Sequence, residues 1–267
     1  MQAMRQLRFA TFLSPLLYGT YEYIARYVGE HIGYPARLTV GQSFEELAEG
    51  LVDISFLCGL PYVRMRRQAS CPIELLAAPV LEGKRYQGKP MYFSDVIVLQ
   101  KSPYRCLDDL RGCTWAYNER ASHSGCNLVC YSLLTRGKPP HYFGRTISSG
   151  SHQRSLQMVL EGQADATAID SHLLDVLLAR DAGLAARLRI IDSLGPSTIP
   201  PIAVSKSLNS ELKCRIQAVL LAMHTDPEAA SKLQEGLIER FVPIADEQYD
   251  DIREMLVQVE KMEFPFM

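Results

Sequence analysis

SSGSHQRSLQMVLEGQADATAIDS, residues 148–171, carries the pattern on which the fold reading turns. Ser148, Ser149, Gly150 and Ser151 make a small polar loop. His152 opens the run that follows, in which Leu156, Val159 and Leu160 recur at helical spacing. Gly162 stops that helix, because a residue without Cβ takes the left-handed conformation at little cost. DATAID (165–170) then reads as a short strand, followed by Ser171 and another apolar-periodic run, HLLDVLLARD. Helix, strand and helix in so short a span are the repeat of an α/β layer.

The same alternation extends in both directions. Strands are expected at 7–13, 36–40, 53–59, 73–80, 95–100, 114–118, 188–192 and 201–206. GTYEYIARYVGEHIG (19–33) predicts a helix with Tyr23, Ile24 and Tyr27 at helical spacing and Gly33 as its stop. From Leu208 onward the pattern reads as helical, broken at Pro227 and at FVPIAD (241–246), with Asp246 capping a last helix. SLGPSTIPPI (193–202) is rich in Pro, Gly and Ser, as a hinge segment is.

Composition narrows the function. The 267 residues suffice for two lobes, and 47% hydrophobic with 22% charged residues is a globular balance. A formal net charge of −2 gives no nucleic-acid footprint, so an anion must be held by local donors. No apolar run reaches the ~18 residues of a membrane span, and no direct membrane insertion is expected. The N-terminal MQAMRQLRFATFL, with Arg5 and Arg8, reads as a first strand rather than a signal peptide. The seven cysteines lack C-x-x-C spacing, so neither a disulfide framework nor a metal site is expected. Cys126 and Cys130 share a helix face, where small buried residues are the expected reading.

A second Ser/Gly loop matches the first. In YNERASHSGCNLVCYSLL (117–134), Ser122, His123, Ser124 and Gly125 lead from a strand into an apolar helix. First-turn N–H groups have no partner within their own helix, and the helix dipole favours negative charge there. Each loop alone is ordinary capping. Two in one lobe make a cradle of neutral donors for a small anion, with His152 adding a donor and, near pH 6–7, a charge. Asp170, at a strand's carboxyl end, either accepts from a protonated ligand oxygen or an amine, or caps the next helix.

SGSHQRSLQMVLEGQADATAIDS resembles the signature of the phosphonate/phosphite/phosphate-binding receptors of ABC importers. Four further segments are similar to that family in order and spacing: LTVGQSFEELAEGLVDISFLCGLPYV (38–63), YFSDVIVLQKSPYRCLDDLRG (92–112), NERASHSG (118–125) and RFVPIADEQYDDIREM (240–255). The resemblance covers nearly the whole chain. It implies the two-lobed type II periplasmic-binding-protein fold, α/β, each lobe a mostly parallel sheet flanked by helices, with two crossover segments. Lobe one would comprise 1–93 and 202–267, and lobe two 94–201 with the main anion loops.

The resemblance also implies a site and partners. Ser122, His123 and Ser124 would be first-loop ligands, His152 the second-loop ligand and Asp170 the nearby carboxylate. Tyr62 in GLPY would close over the ligand, with Tyr18 or Ser14 near the first strand and Tyr92 near the crossover. His123 stands where the family often has Thr, and FLSPLLYGTYEY differs from its usual first loop. The expected function is capture of a small oxyanion for an ABC-importer membrane permease, by a monomer without cofactor, metal or catalytic residues. Periplasmic or extracytoplasmic residence is expected if an export signal has been removed, cytoplasmic residence otherwise. The alternatives are a ligand-sensing domain of the same fold, a degenerate pocket, and an enzyme acting on a small phosphorylated or heterocyclic substrate, for which Cys126 near His152 is the nucleophile pair to consider.

Overall fold

The computed structural model describes residues 6–266, so Arg5 lies outside the described residues. The chain divides into two compact units: residues up to 91 with Thr198–Tyr249, and Tyr92–Ser197 with the residues from Asp250 on. The first unit begins with β1 (Leu7–Thr11), α1 (Tyr18–Ile32), β2 (Ala36–Val40), the single turn α2 (Glu45–Ala48), β3 (Ile54–Phe56), α3 (Gly59–Arg66) and β4 (Ile73–Leu81). β5 (Met91–Leu99) leads into the second, built from β6 (Thr114–Tyr117), α4 (Leu128–Thr135), β7 (Arg145–Ser148), α5 (His152–Leu160), β8 (Ala166–Asp170), α6 (Ser171–Arg180) and α7 (Ala182–Arg187). β9 (Leu188–Thr198) brings the chain back for β10 (Ile202–Ser205), α8 (Ser210–Ala222), α9 (Pro227–Gln234) and β11 (Ile238–Val242), and α10 (Asp250–Val259) belongs again to the second unit.

The first unit's sheet has the order β11-β4-β10-β3-β1-β2. β1 lies between β2 and β3, parallel to both, and its Leu7, Phe9, Ala10 and Thr11 are all buried. A parallel strand covered on both faces needs this near-continuous apolar run. β10 is antiparallel to β3 and β4, and β11 is antiparallel to β4. β11 corrects the expectation of an all-helical C-terminal part. In IERFV, Ile238 and Phe241 are buried against the sheet, and five residues are too few to show their period. Pro227 is a start rather than a break: it is the first residue of α9, whose cap is Asp226.

The second unit's sheet has the order β7-β6-β8-β5-β9. β6 is parallel to β7 and β8, and β5 is antiparallel to β8. Trp115 stacks on Phe143 with ring centroids 4.4 Å apart, and Val259, Phe264 and Phe266 pack into the same core. Each such side chain contributes ~1.5–3 kcal/mol by leaving water.

That core corrects the expected division, which placed 202–267 wholly with lobe one. α10 packs on α4, because its apolar face of Ile252, Leu256 and Val259 finds its partners there. Asp246 does not cap α10 directly either. It opens a 3₁₀ turn, Asp246–Tyr249, before the helix. β9 runs to Thr198, through much of the expected hinge segment.

Candidate anion site at one edge of the second sheet

β7, β6 and β8 are neighbours running the same way, so their carboxyl ends share one edge of the sheet. The loops that leave this edge carry both Ser/Gly motifs and Asp170, and such an edge is where open α/β sheets take ligands. β5 runs the opposite way, which brings its early residues to the same edge, with Ser94 opposite Asp170.

The first loop enters a helix through a π turn, His123–Asn127, which continues as α4. Ser122 caps it, its hydroxyl accepting from the Gly125 N–H at 3.0 Å. Ser94 Oγ donates to the Ser124 carbonyl at 2.7 Å, fixing the turn to β5. The second loop is tied to the end of β6: Ser149 N–H donates to Tyr117 O at 2.8 Å and Gly150 N–H to Asn118 O at 2.9 Å. Ser151 caps α5 by accepting from Arg154 N–H at 3.1 Å. The first-turn N–H groups of Ser124, His152 and Gln153 meet no acceptor among the described residues.

The two helix starts meet. Ser124 Oγ lies 3.1 Å from His152 Nε2. Gly125 permits this approach, since a Cβ there would come 1.9 Å from Asn118 Oδ1 and 3.2 Å from His152 Cε1. His152 Nδ1 faces the Ala168 carbonyl without reaching good hydrogen-bond geometry. Asp170 caps α6, its Oδ1 accepting from His172 N–H at 2.9 Å and Leu173 N–H at 3.3 Å.

Burial sets the charges. It pushes the His152 pKa down to about 4, so its imidazole is neutral near pH 7, not charged as the sequence reading allowed. Burial pushes the Asp170 carboxyl up to about 7, against the pull of its two backbone donors, with Asp95 and Asp175 adding repulsion. The edge therefore offers hydroxyl and amide donors, a neutral imidazole, and a carboxyl that can hold or release a proton near neutrality. That set suits a small oxyanion gripped without a permanent counter-charge.

The model of the family described as "ABC transporter, phosphonate, periplasmic substrate-binding protein" matches residues 10–249. The chain belongs to this family. A binding protein component of an ABC phosphonate transporter from Pseudomonas aeruginosa is 19% identical, with TM-score 0.81 over 97% of this chain and 87% of that one. PhnD1 from Prochlorococcus marinus, in complex with methylphosphonate, is 15% identical, with TM-score 0.84 over 96% of this chain and 99% of that one. A Xanthomonas citri protein bound to ATP is 19% identical, with TM-score 0.71 over 96% of this chain and 97% of that one. The fold is that of the type II periplasmic binding proteins, α/β with two lobes.

In this phosphonate-family binding protein, the nine expected site residues separate into groups. Ser122, Ser124, His152 and Asp170 come together at the edge just described. The His123 side chain does not join them. It is fully buried, its Nε2 donating to Ser197 Oγ at 2.8 Å and its Nδ1 accepting from Asn127 Nδ2 at 3.1 Å. Ser197 in turn donates to Asp251 Oδ2 at 2.7 Å. Both ring nitrogens are engaged inside the core, so the imidazole is turned away from the edge, while the His123 backbone N–H meets no acceptor among the described residues and remains for the expected first-loop role. Tyr92 is buried as well, its ring tilted against His123 at 6.3 Å, and it too is a core residue.

In the first unit Tyr62 is 1% exposed, donates to Asp246 Oδ1 and packs edge-on against Tyr249. It supports the fold rather than standing free to cover a ligand. Tyr18 donates to the Leu38 carbonyl at 3.1 Å, and Ser14 caps a 3₁₀ turn by accepting from Leu16 N–H at 3.3 Å. Ser94 and Asn118 contribute to the edge and escaped the sequence reading. Asn118 carried a usable signal, being the last residue of an expected strand that ends at a ligand loop.

Among the described residues no cluster of His, Cys, Asp and Glu is placed to hold a metal ion. Cys126 donates to the Phe266 carbonyl at 3.0 Å, and burial holds the Cys130 thiol well above its ordinary pKa. Both behave as small core residues.

Proposed function

We propose that this chain captures a small phosphorus oxyanion, a phosphonate, phosphite or phosphate, and delivers it unchanged to the membrane permease of an ABC importer. The observation that carries the reading is the 3.1 Å contact between Ser124 Oγ and His152 Nε2, which joins two capped helix starts with free first-turn N–H groups. Ser122, Ser124 and His152 hold the anion, and Asp170 reads a protonated oxygen or the ligand's substituent. The Prochlorococcus relative in complex with methylphosphonate supports this ligand class. No catalysis is involved: neither helix start presents an activated nucleophile, and Cys126 points away to Phe266. The chain acts where its family does, in the periplasm, as a monomer. No described helix is long and apolar enough to cross a membrane.

Isothermal titration against methylphosphonate, aminoethylphosphonate, phosphite, phosphate, sulfate and ATP tests the reading. Saturable heat is expected with at least one phosphorus oxyanion, which phosphorus NMR then recovers intact. Turnover, binding of ATP alone, or silence across the panel would each overturn it.

A further inference from the structure

We propose that Asn118 is a further ligand-binding residue, its side-chain amide donating through Nδ2 to an oxygen of the bound oxyanion. The inference deepens the capture reading above and rests on it.

Asn118 stands at the fork of the two loops, immediately after β6. Its carbonyl is already taken by the Gly150 N–H. Its side chain turns the other way, over Gly125, where Oδ1 is the first atom an added Cβ would strike and His152 Cε1 lies beside the same point. The amide therefore shares its corner with the His152 ring and, through that ring, with the Ser124 hydroxyl.

What marks this amide is that it has nothing to bond to. Asn118 is 7% exposed, its Oδ1 is buried without a partner, and neither end of the amide makes a hydrogen bond among the described residues. A buried amide left unpaired is costly and uncommon. Other residues of the edge use their side chains to cap helices or tie strands, whereas this one holds its Oδ1 out of water for no internal purpose and leaves its Nδ2 without a protein acceptor. Its two N–H donors match the acceptor-only oxygens of an ionised phosphorus oxyanion, and its carbonyl matches an oxygen that keeps a proton. A half-turn of the amide exchanges the two ends.

Calorimetry with methylphosphonate, phosphite and phosphate, alongside melting of the ligand-free protein, tests the assignment in Asn118→Leu and the isosteric Asn118→Asp. For the best ligand of the parent protein, Asn118→Leu should weaken binding by about tenfold or more while the ligand-free melting temperature stays level or rises, since an unpaired polar group is removed. Asn118→Asp should remain folded and weaken binding by roughly a hundredfold, because a carboxylate then faces the anion. Binding within about twofold of the parent in both variants would overturn the assignment. So would a ligand-free melting temperature that falls in Asn118→Leu, which would reveal an internal bonding role. If the parent itself gives no heat with any of the three anions, the capture reading has failed, and this assignment falls with it.

Discussion

His123 Nε2 and the Ser197 hydroxyl are 2.8 Å apart, inside a chain of hydrogen bonds that runs from Asn127 to the carboxylate of Asp251. The chain ties the first loop to β9 and α10 through both ring nitrogens of His123 and the Ser197 hydroxyl. Burial pushes the His123 pKa down to about 4, with the Asp251 charge opposing, so the ring stays neutral and the bond directions are fixed. Removing one member strands its neighbours. Ser197→Ala should cost ~1–3 kcal/mol in urea unfolding. A double-mutant cycle with His123→Ala should return a coupling of at least ~0.5 kcal/mol. Additive losses would show that the contact contributes nothing.

His152 and Ser124 should respond in the opposite sense, through the ligand. His152→Ala should weaken oxyanion affinity by ~1–3 kcal/mol, the range for a hydrogen bond to a charged group. Ser124→Ala should lose less, because neighbouring N–H groups share the load. Titration calorimetry checks both, and unchanged affinity in His152→Ala removes that residue from the site.

Asp170 gives a pH signature. Its folded pKa of about 7 lies above the ~3.9 of an unfolded aspartate, so the folded state holds the proton longer. The stability gained is full below about pH 4 and is lost as the pH climbs through the folded value. Asp170→Asn keeps an acceptor for the His172 and Leu173 N–H groups and cannot ionise. Relative to the parent, it should gain ~1–3 kcal/mol in unfolding free energy between pH 4 and pH 8. A constant offset across that range would mean the carboxyl titrates normally.

Tyr62 separates fold from site in the first unit. Tyr62→Phe removes the hydroxyl that donates to Asp246, which Arg66 also contacts at 3.2 Å. A loss of ~1–2 kcal/mol in unfolding free energy is expected, with ligand affinity within about twofold of the parent. A large affinity loss at unchanged stability would return Tyr62 to the ligand.

Much of this was legible because the local signals were strong. Ser122, Ser151 and Asp170 were readable as caps from residue type and position alone, and all three cap. Gly33 and Gly162 stop or follow their helices at φ 77° and 73°. The direction in which His123 points was not legible, since it depends on Ser197 and Asp251, distant in sequence. Its spacing of four from Asn127 was the only local hint. β11 and the placement of α10 stayed hidden for a related reason. A short amphipathic segment shows that it has an apolar face, but not which core that face will fill.

The placement of α10 has a consequence for how the protein is made. The second unit starts at Tyr92, yet Val259, Phe264 and Phe266 complete its core, and Asp251 anchors the backing of the first ligand loop. Residues 118–152 leave the ribosome long before those supports exist. The loops of the candidate site are therefore made well before the residues that complete the core behind them, and that core closes only after Asp250–Val259 and Phe266 have been added.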